Sequence, residues 1–156
     1  MNNPETSRII EMLQNTYSRS GWHGASVMEI LNKIDAIQAF QSSSHIHRIC
    51  ELVQHITAWR VFAIKKFEGD ANFDVSQHEN WKNFENQDDY AWKEILGDLE
   101  ESQKKLLDVM SRFSDENLNE KVPGKAYSYY TLAHGVIQHD LYHLGEIALL
   151  SRELSS

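Results

Sequence analysis

Two histidines near the end of the sequence, His139 and His143, are the residues whose type and spacing most readily support chemistry. Residues four apart in an α-helix lie on one face, so the two imidazoles would point the same way. Such a pair can bind one divalent metal ion, and a third ligand from elsewhere would complete a site that keeps an open coordination position. The alternative is that both are core histidines that form hydrogen bonds with their neighbours.

The elements that must position this pair are predicted to be helices. The sequence holds only seven glycines and two prolines, and this scarcity of helix breakers favours long helices over many short strands. Apolar residues recur at helical spacing in long segments at 4–17, 44–67, 88–113 and 128–154 and in a short segment at 26–34. Residues 70–88 are polar and are predicted to form a crossover loop. The pattern predicts an all-α protein, an antiparallel four-helix bundle, with residues 1–156 as a single domain.

The composition narrows the classes of partner. The formal net charge is −8 and no basic stripe is present, so we expect binding neither to nucleic acid nor to anionic membranes. No apolar run approaches the roughly 20 residues that a membrane helix needs, and the N-terminus shows no secretory signal. A single cysteine, Cys50, excludes an intramolecular disulfide and fits a reducing compartment. We therefore expect a cytoplasmic protein.

The last segment is apolar on two faces. One face places both histidines in an apolar stripe formed by Leu132, Val136, His139, His143, Ile147 and Leu150. The opposite face carries Ile137, Leu141, Leu144 and Ala148. A helix that is apolar all round is buried on both sides, so this second face predicts a homodimer. His134 belongs to the second face, which makes it a poor metal ligand and a better interface or buried polar residue.

His55 is the best candidate for the third ligand. It lies in the second long segment on a stripe with Leu52, Trp59 and Phe62, and such a stripe should face the core. The other histidines of that segment, His45 and His47, lie near its predicted start, where histidines are commonly solvated.

Two carboxylates lie one helical turn from these candidate ligands. Glu51 precedes His55 by one turn, and Glu146 follows His143 by one turn. Carboxylates often orient metal-ligating imidazoles, so both are candidates for that role. Either could instead be a solvated surface charge, which is the interpretation we favour for Glu51.

Several motifs resemble those of the DinB/YfiT-like superfamily, in the same order and across nearly the whole chain. The last segment reads HGVIQHDLYHLGEIALL over 134–150, and the second long segment reads ELVQHITAWR over 51–60. The stretch GWHGAS at 21–26 resembles the WHG element of the family. The stretches VPG at 122–124 and YSYY at 127–130 resemble its lead-in to the last helix.

The resemblance implies an antiparallel four-helix bundle that is often dimeric. It also implies a divalent metal, often nickel or zinc, held by three histidines that match His55, His139 and His143. Characterised relatives include S-transferases and isomerases that use bacillithiol, mycothiol or glutathione. We therefore expect a metal-dependent enzyme that transfers a low-molecular-weight thiol to an electrophile. The alternatives are a metal-dependent hydrolase and a non-enzymatic sensor or scaffold whose ion only staples the bundle.

One departure from the family pattern concerns Glu146, where the family usually has glutamine. A carboxylate there could be a fourth ligand, a proton acceptor or one half of a salt bridge. Trp22 and His23 lie in a loop-like segment that could close over the site, although Trp22 could equally plug the end of the bundle. Tyr142 could donate a hydrogen bond to a substrate or simply pack. Cys50 lies away from the His55 stripe, so we expect neither ligation nor nucleophilic chemistry from it.

Overall fold

The computed structural model describes residues 3–19, 21–43 and 46–155, and the chain is mainly helical within them. The helices in chain order are α1 (Pro4–Ser18), α2 (Val27–Leu31), α3 (Ala36–Phe40), α4 (Ile49–Phe67), α5 (Gln77–Asn80), α6 (Asp89–Ser111) and α7 (Tyr129–Leu154). The described residues form no β-strand, only isolated bridges between single residues. None of these helices combines the length and the hydropathy that crossing a membrane requires.

The four long helices, α1, α4, α6 and α7, pack as a four-helix bundle whose members run up, down, down and up. Helices α4 and α7 are antiparallel, because the Tyr129 hydroxyl at the start of α7 donates to the Lys66 carbonyl at the end of α4. Helices α4 and α6 are parallel, because Phe67 at the end of α4 packs against Phe113 just beyond α6. The long crossover between them makes this parallel pairing possible. The prediction of an all-α four-helix bundle is confirmed.

Helices α4 and α7 contribute to the core along their whole length. One cluster of buried side chains joins α2 and α3 to the first half of α4, the first half of α6 and the second half of α7. The other cluster joins α1 to the opposite halves of the same three helices. Since α4 and α7 take part in both clusters, their mutual position is fixed by packing at both ends. Any site between them is therefore held on rigid elements.

Most predicted elements match the structure, and the differences lie at the starts of helices and in the segments that connect them. Helix α4 begins at Ile49, five residues after its predicted start; Ser44 and His45 lie outside the described residues. The short segment predicted at 26–34 is helical only over Val27–Leu31, and α3 was not predicted. The predicted 70–88 loop contains α5. Short helices depend on caps, as with Ser26 and α2, more than on periodicity.

Helix α1 receives its N-terminal cap from a distant part of the chain. Asn3 precedes the helix and forms no side-chain capping bond. The Asp115 carboxylate instead accepts hydrogen bonds from the backbone N–H groups of Glu5 and Thr6, at 2.9 and 2.8 Å. A carboxylate at this position satisfies free N–H groups and interacts favourably with the helix dipole. The start of α1 is thus anchored to the turn that follows α6.

The second apolar face of α7 is covered within one chain. Ile137 is 5% exposed and Leu144 is 4% exposed, because α1 and α2 pack against this helix. The reason for expecting a dimer through this face is therefore wrong: the sequence pattern revealed a face that needs cover but not that α1 and α2 supply it. A homodimer stays a prediction that rests on the family resemblance alone.

Candidate metal centre

Three imidazoles converge between α4 and α7. His55 comes from α4, His139 and His143 come from successive turns of α7, and one ring nitrogen of each lies within 4.8 Å of the others. The Nε2 atoms of His55 and His139 are 3.0 Å apart. Ligand nitrogens about 2.0–2.1 Å from a tetrahedral zinc ion lie roughly 3.3 Å from each other. Small side-chain adjustments would therefore bring all three nitrogens to one ion, and the donor set fits a divalent metal.

Hydrogen bonds on the outer side of two rings leave their Nε2 atoms free to ligate. The Nδ1 atom of His55 lies 3.0 Å from the backbone carbonyl oxygen of Asn80. The Nδ1 atom of His143 is hydrogen-bonded to a carboxylate oxygen of Glu146. Because both oxygens act as acceptors, we assign the proton of each neutral imidazole to Nδ1 and a lone pair to Nε2. Metal-ligating histidines are commonly held in this way.

The surroundings keep two of the rings neutral. Burial, together with the smaller effects of the neighbouring His143, His55 and Arg60, lowers the pKa of His139 to about 3. Burial also lowers the pKa of His55, against the opposing effect of its hydrogen bond to Asn80. A neutral imidazole is the form that binds metal, because protons compete with the ion for the same lone pair. Both rings are therefore ready to ligate at neutral pH without losing a proton.

Asn80 is a site residue that the sequence analysis missed. Its carbonyl accepts from His55, and its side-chain oxygen accepts from the indole N–H of Trp59 at 2.9 Å. One residue at the end of α5 therefore fixes both a candidate ligand and an adjoining aromatic side chain. The capping box of Ser76 and Glu79 that begins α5 is readable in the sequence and could have indicated a helical turn here.

Trp81 covers the outer face of His55 in a three-ring stack. Its indole lies on His55 with ring centroids 4.1 Å apart, and its other face lies on His47 with centroids 3.5 Å apart. His47 is therefore a packing partner of the crossover segment rather than a solvated residue at a helix start. The stack holds the crossover against α4 and shields one side of the histidine cluster.

A fully buried ion pair lies beside the cluster and was also missed. Arg60 and Asp140 are 1% and 0% exposed in their side chains and approach to 2.7 Å. The remaining guanidinium nitrogen of Arg60 donates to the side-chain oxygen of Gln103 at 2.7 Å. Asp140 directly follows His139, so this pair joins α4, α6 and α7 next to a candidate ligand. The only sign of this ion pair in the sequence was one charged residue within a mostly apolar stretch of each of α4 and α7.

An apolar cavity of about 240 Å³ opens beside His139. Its walls come from α4, from the first half of α7 and from the segment just before α7. Its lining consists of Trp59, Arg60, Phe62, Tyr127, Thr131, Leu132, Gly135, Val136 and His139. Pockets of this kind, apolar with a few polar groups and next to titratable residues, are where small ligands bind. The cluster therefore has space next to it on the α4–α7 side.

Comparison with known families gives a single result for this chain. Residues 32–147 match the family model described as the DinB superfamily, which covers about three quarters of the sequence. The chain belongs to the DinB superfamily. No curated protein and no solved structure matches it. The matched residues include all three histidines, the whole of α4, and α7 as far as residue 147.

The other predicted site residues of this DinB chain lie in different surroundings. Tyr142 packs edge-on against the His143 ring with centroids 5.0 Å apart, while most of its side chain is exposed. Trp22 is fully exposed, so it neither covers the cluster nor plugs the bundle end. His23 is also exposed, and its ring lies beside Gly21. Glu51 accepts from the backbone and guanidinium of Arg48, which makes it a cap of α4 rather than a solvated charge.

Two further residues are placed as the sequence suggested. Cys50 is buried, and this burial raises the pKa of its thiol to about 12, so a thiolate does not form at neutral pH. His134 lies about one turn before the cluster and packs against Tyr130, with the ring centroids 4.4 Å apart and the ring planes tilted by 46°. It contributes no nitrogen to the three-histidine group.

Glu146 is expected to tune the affinity for metal without being required for it. Glu146→Leu removes the acceptor from Nδ1 of His143 and should weaken metal binding about 10- to 100-fold, the usual effect of losing such a partner. Glu146→Gln keeps an acceptor oxygen and is the matched control, with a much smaller loss. Competition with a chelating dye measures both. Unchanged affinity in Glu146→Leu would contradict this role.

Proposed function

We propose that this DinB protein is a divalent-metal-dependent enzyme that transfers a low-molecular-weight thiol to an electrophile. The observation that carries the proposal is the three-histidine cluster beside an apolar cavity, with no fourth protein ligand in the described part of the chain. Three protein ligands and an open position are typical of catalytic metal sites, whereas structural zinc sites usually have four ligands. The thiol itself is implied by the family resemblance.

Some of the protein's residues would bind the metal ion, and others would orient the imidazoles that bind it. His55, His139 and His143 would hold the ion, and Asn80 and Glu146 would keep two of the rings aligned. When bound, a divalent ion supplies positive charge that lowers the pKa of a thiol or water in its open position. Nickel and zinc both suit an all-imidazole set, and availability selects between them.

The reaction that we propose is a substitution at carbon. The thiol loses its proton to solvent, its sulfur forms a bond to the electrophilic carbon, and the leaving group departs with its electron pair. Trp59 and Phe62 would exclude water from the reacting carbon, which favours attack by sulfur over hydrolysis. Orientation of the two reactants at one site accounts for a large part of such rate enhancements.

Two observations weigh against the alternative functions. Metal-assisted hydrolysis needs a general base beside the attacking water, and the candidate for that role, Glu146, has one oxygen engaged by Nδ1 of His143. A non-enzymatic protein whose metal ion only stabilises the bundle needs no space beside that ion, whereas a cavity adjoins His139 here.

A conjugation assay tests the proposal directly. The metal-loaded protein is mixed with 1-chloro-2,4-dinitrobenzene and, in turn, with bacillithiol, mycothiol, glutathione or cysteine. We expect one thiol to give a thioether and chloride faster than the uncatalysed reaction, with the acceleration lost in chelated protein and in His139→Ala. Activity that His139→Ala retains, or the absence of acceleration with every thiol, would refute it. Elemental analysis of protein from its native host identifies the ion.

A further inference from the structure

The cavity beside His139 has a lining that selects its occupant by charge. Arg60 is the cationic residue of that lining, and each of its guanidinium nitrogens is already engaged. The Nε and one terminal nitrogen donate to Asp140, and the other terminal nitrogen donates to Gln103. The Arg60 side chain is only 1% exposed, and Asp140 balances its charge. An anionic ligand would therefore gain little from Arg60, and a cationic ligand would find no carboxylate in the lining.

The size of the cavity limits the occupant further. Its volume is about 240 Å³, which is below the roughly 300–1,000 Å³ of sites for drug-sized ligands. A dry cavity of about 150 Å³ already accepts benzene. The lining extends along α7 from Thr131 to His139, a distance of about 12 Å at 1.5 Å per residue. The space thus fits one substituted ring placed along the helix and excludes a tripeptide-sized thiol.

The walls suit an aromatic ring. Trp59, Phe62 and Tyr127 supply three aromatic side chains, and Leu132 and Val136 supply buried aliphatic surface. Aromatic rings gain about 0.5–1.5 kcal/mol per pair from stacked or edge-on contacts beyond the burial of area. Trp59 is held in place by its hydrogen bond to Asn80, so this wall is formed before a ligand enters.

We propose that this cavity binds the electrophilic substrate as a neutral, apolar molecule of about one substituted aromatic ring, while the thiol approaches from outside it. The proposal rests on the proposed function for the identity of the occupant as the electrophile. The binding preference itself rests only on the lining. The ring would lie with one end at His139, where the candidate metal ligands meet.

Gly135 provides a direct way to fill the cavity. It lines the cavity, and a Cβ atom built on it meets no other atom within 4 Å. Gly135→Ala and Gly135→Leu should therefore fold and fill the space in two steps. Gly97 is the matched control, because it is also a helical glycine with open space around a built Cβ but lies in α6, outside this lining.

Fluorine NMR titrations with 4-fluorotoluene and 4-fluorobenzoate test the proposal. The two ligands are compared in chelated protein, where no bound ion can attract the carboxylate, and the variants are titrated with 4-fluorotoluene in the metal-loaded state. We expect 4-fluorotoluene to bind at least about tenfold more tightly than 4-fluorobenzoate. Its affinity should fall stepwise in Gly135→Ala and Gly135→Leu, by about tenfold or more in the latter, and stay unchanged in Gly97→Leu. Thermal melts and metal content report whether each variant is folded and loaded.

The outcomes separate this inference from the proposed function. Preferential binding of 4-fluorobenzoate, or unchanged binding of 4-fluorotoluene in a folded Gly135→Leu variant, would overturn the inference even if thiol conjugation were observed. Binding of 4-fluorotoluene that persists in chelated protein and is lost in Gly135→Leu would support the charge and size selection. That support would stand even if every conjugation assay failed, in which case only the proposed function would fall.

Discussion

Alanine at any one of His55, His139 and His143 is expected to reduce bound metal from about one equivalent per chain to near zero, since two ligands hold a divalent ion far less well than three. The three nitrogens lie within 4.8 Å of one another, so they serve one ion together rather than separate ions. The measurement is metal content by elemental analysis after dialysis, combined with a titration that gives the affinity. The same change should abolish the proposed conjugation activity.

His134→Ala is the matched control for this experiment. His134 belongs to the same helix and lies five residues before His139, but it contributes no nitrogen to the cluster. It should retain the full metal content. Full metal content in all three cluster variants would contradict the assignment of these histidines as metal ligands.

Asp140→Ala is expected to lower the free energy of unfolding by about 3–5 kcal/mol, because it leaves the buried guanidinium of Arg60 without its carboxylate. Arginine cannot relieve this by losing its proton. For a chain of this length, the loss corresponds to a fall in Tm of roughly 6–20 °C. Urea or thermal denaturation of the metal-free protein measures it without interference from metal binding.

The variant that removes the other partner, Arg60→Ala, should lower the free energy of unfolding by less. Burial raises the pKa of Asp140, and the charge of Arg60 opposes that rise. Without Arg60, the carboxyl group can take up a proton and become neutral, so Arg60→Ala should cost less than Asp140→Ala. The double variant Arg60→Met/Asp140→Leu should recover much of the loss, because apolar replacements of a buried pair are often neutral or stabilising.

An exposed ion pair supplies the control for these measurements. Arg112 and Asp108 are 68% and 64% exposed in their side chains, and such pairs contribute about 0–1 kcal/mol. Arg112→Ala should therefore leave Tm almost unchanged. A cost for Asp140→Ala no larger than that of Arg112→Ala would contradict the importance of the buried pair.

Periodicity was sufficient to predict the long helices and the faces of α4 and α7. The histidines His55, His139 and His143 stood on apolar stripes, and the fold brings those stripes together. Helical spacing is a local property that the sequence carries directly. Whether the three residues bind metal stays a prediction, to be decided by the metal-content measurement.

The remaining surroundings depend on contacts between segments that are distant in sequence. The pairing of Arg60 with Asp140 spans 80 residues, and no local pattern specifies a partner at that distance. Asn80 and Trp81 lie in a polar segment whose composition predicts a loop but not which surface the loop covers. The sequence places Glu146 one helical turn from His143, but only the structure shows that its carboxylate is hydrogen-bonded to Nδ1 of the His143 ring.

The distant cap of α1 has a consequence for the order in which the protein can fold. Glu5 donates to Asp115, which follows it by 110 residues. At about 5–20 residues per second on the ribosome, Asp115 emerges roughly 5–20 seconds after the segment that it caps. Of the four long helices, α1 is therefore made before α4, α6 and α7 but receives its cap only after α6 is complete. During that interval its apolar residues, Ile9 and Leu13, have no bundle to enter and are available to chaperones.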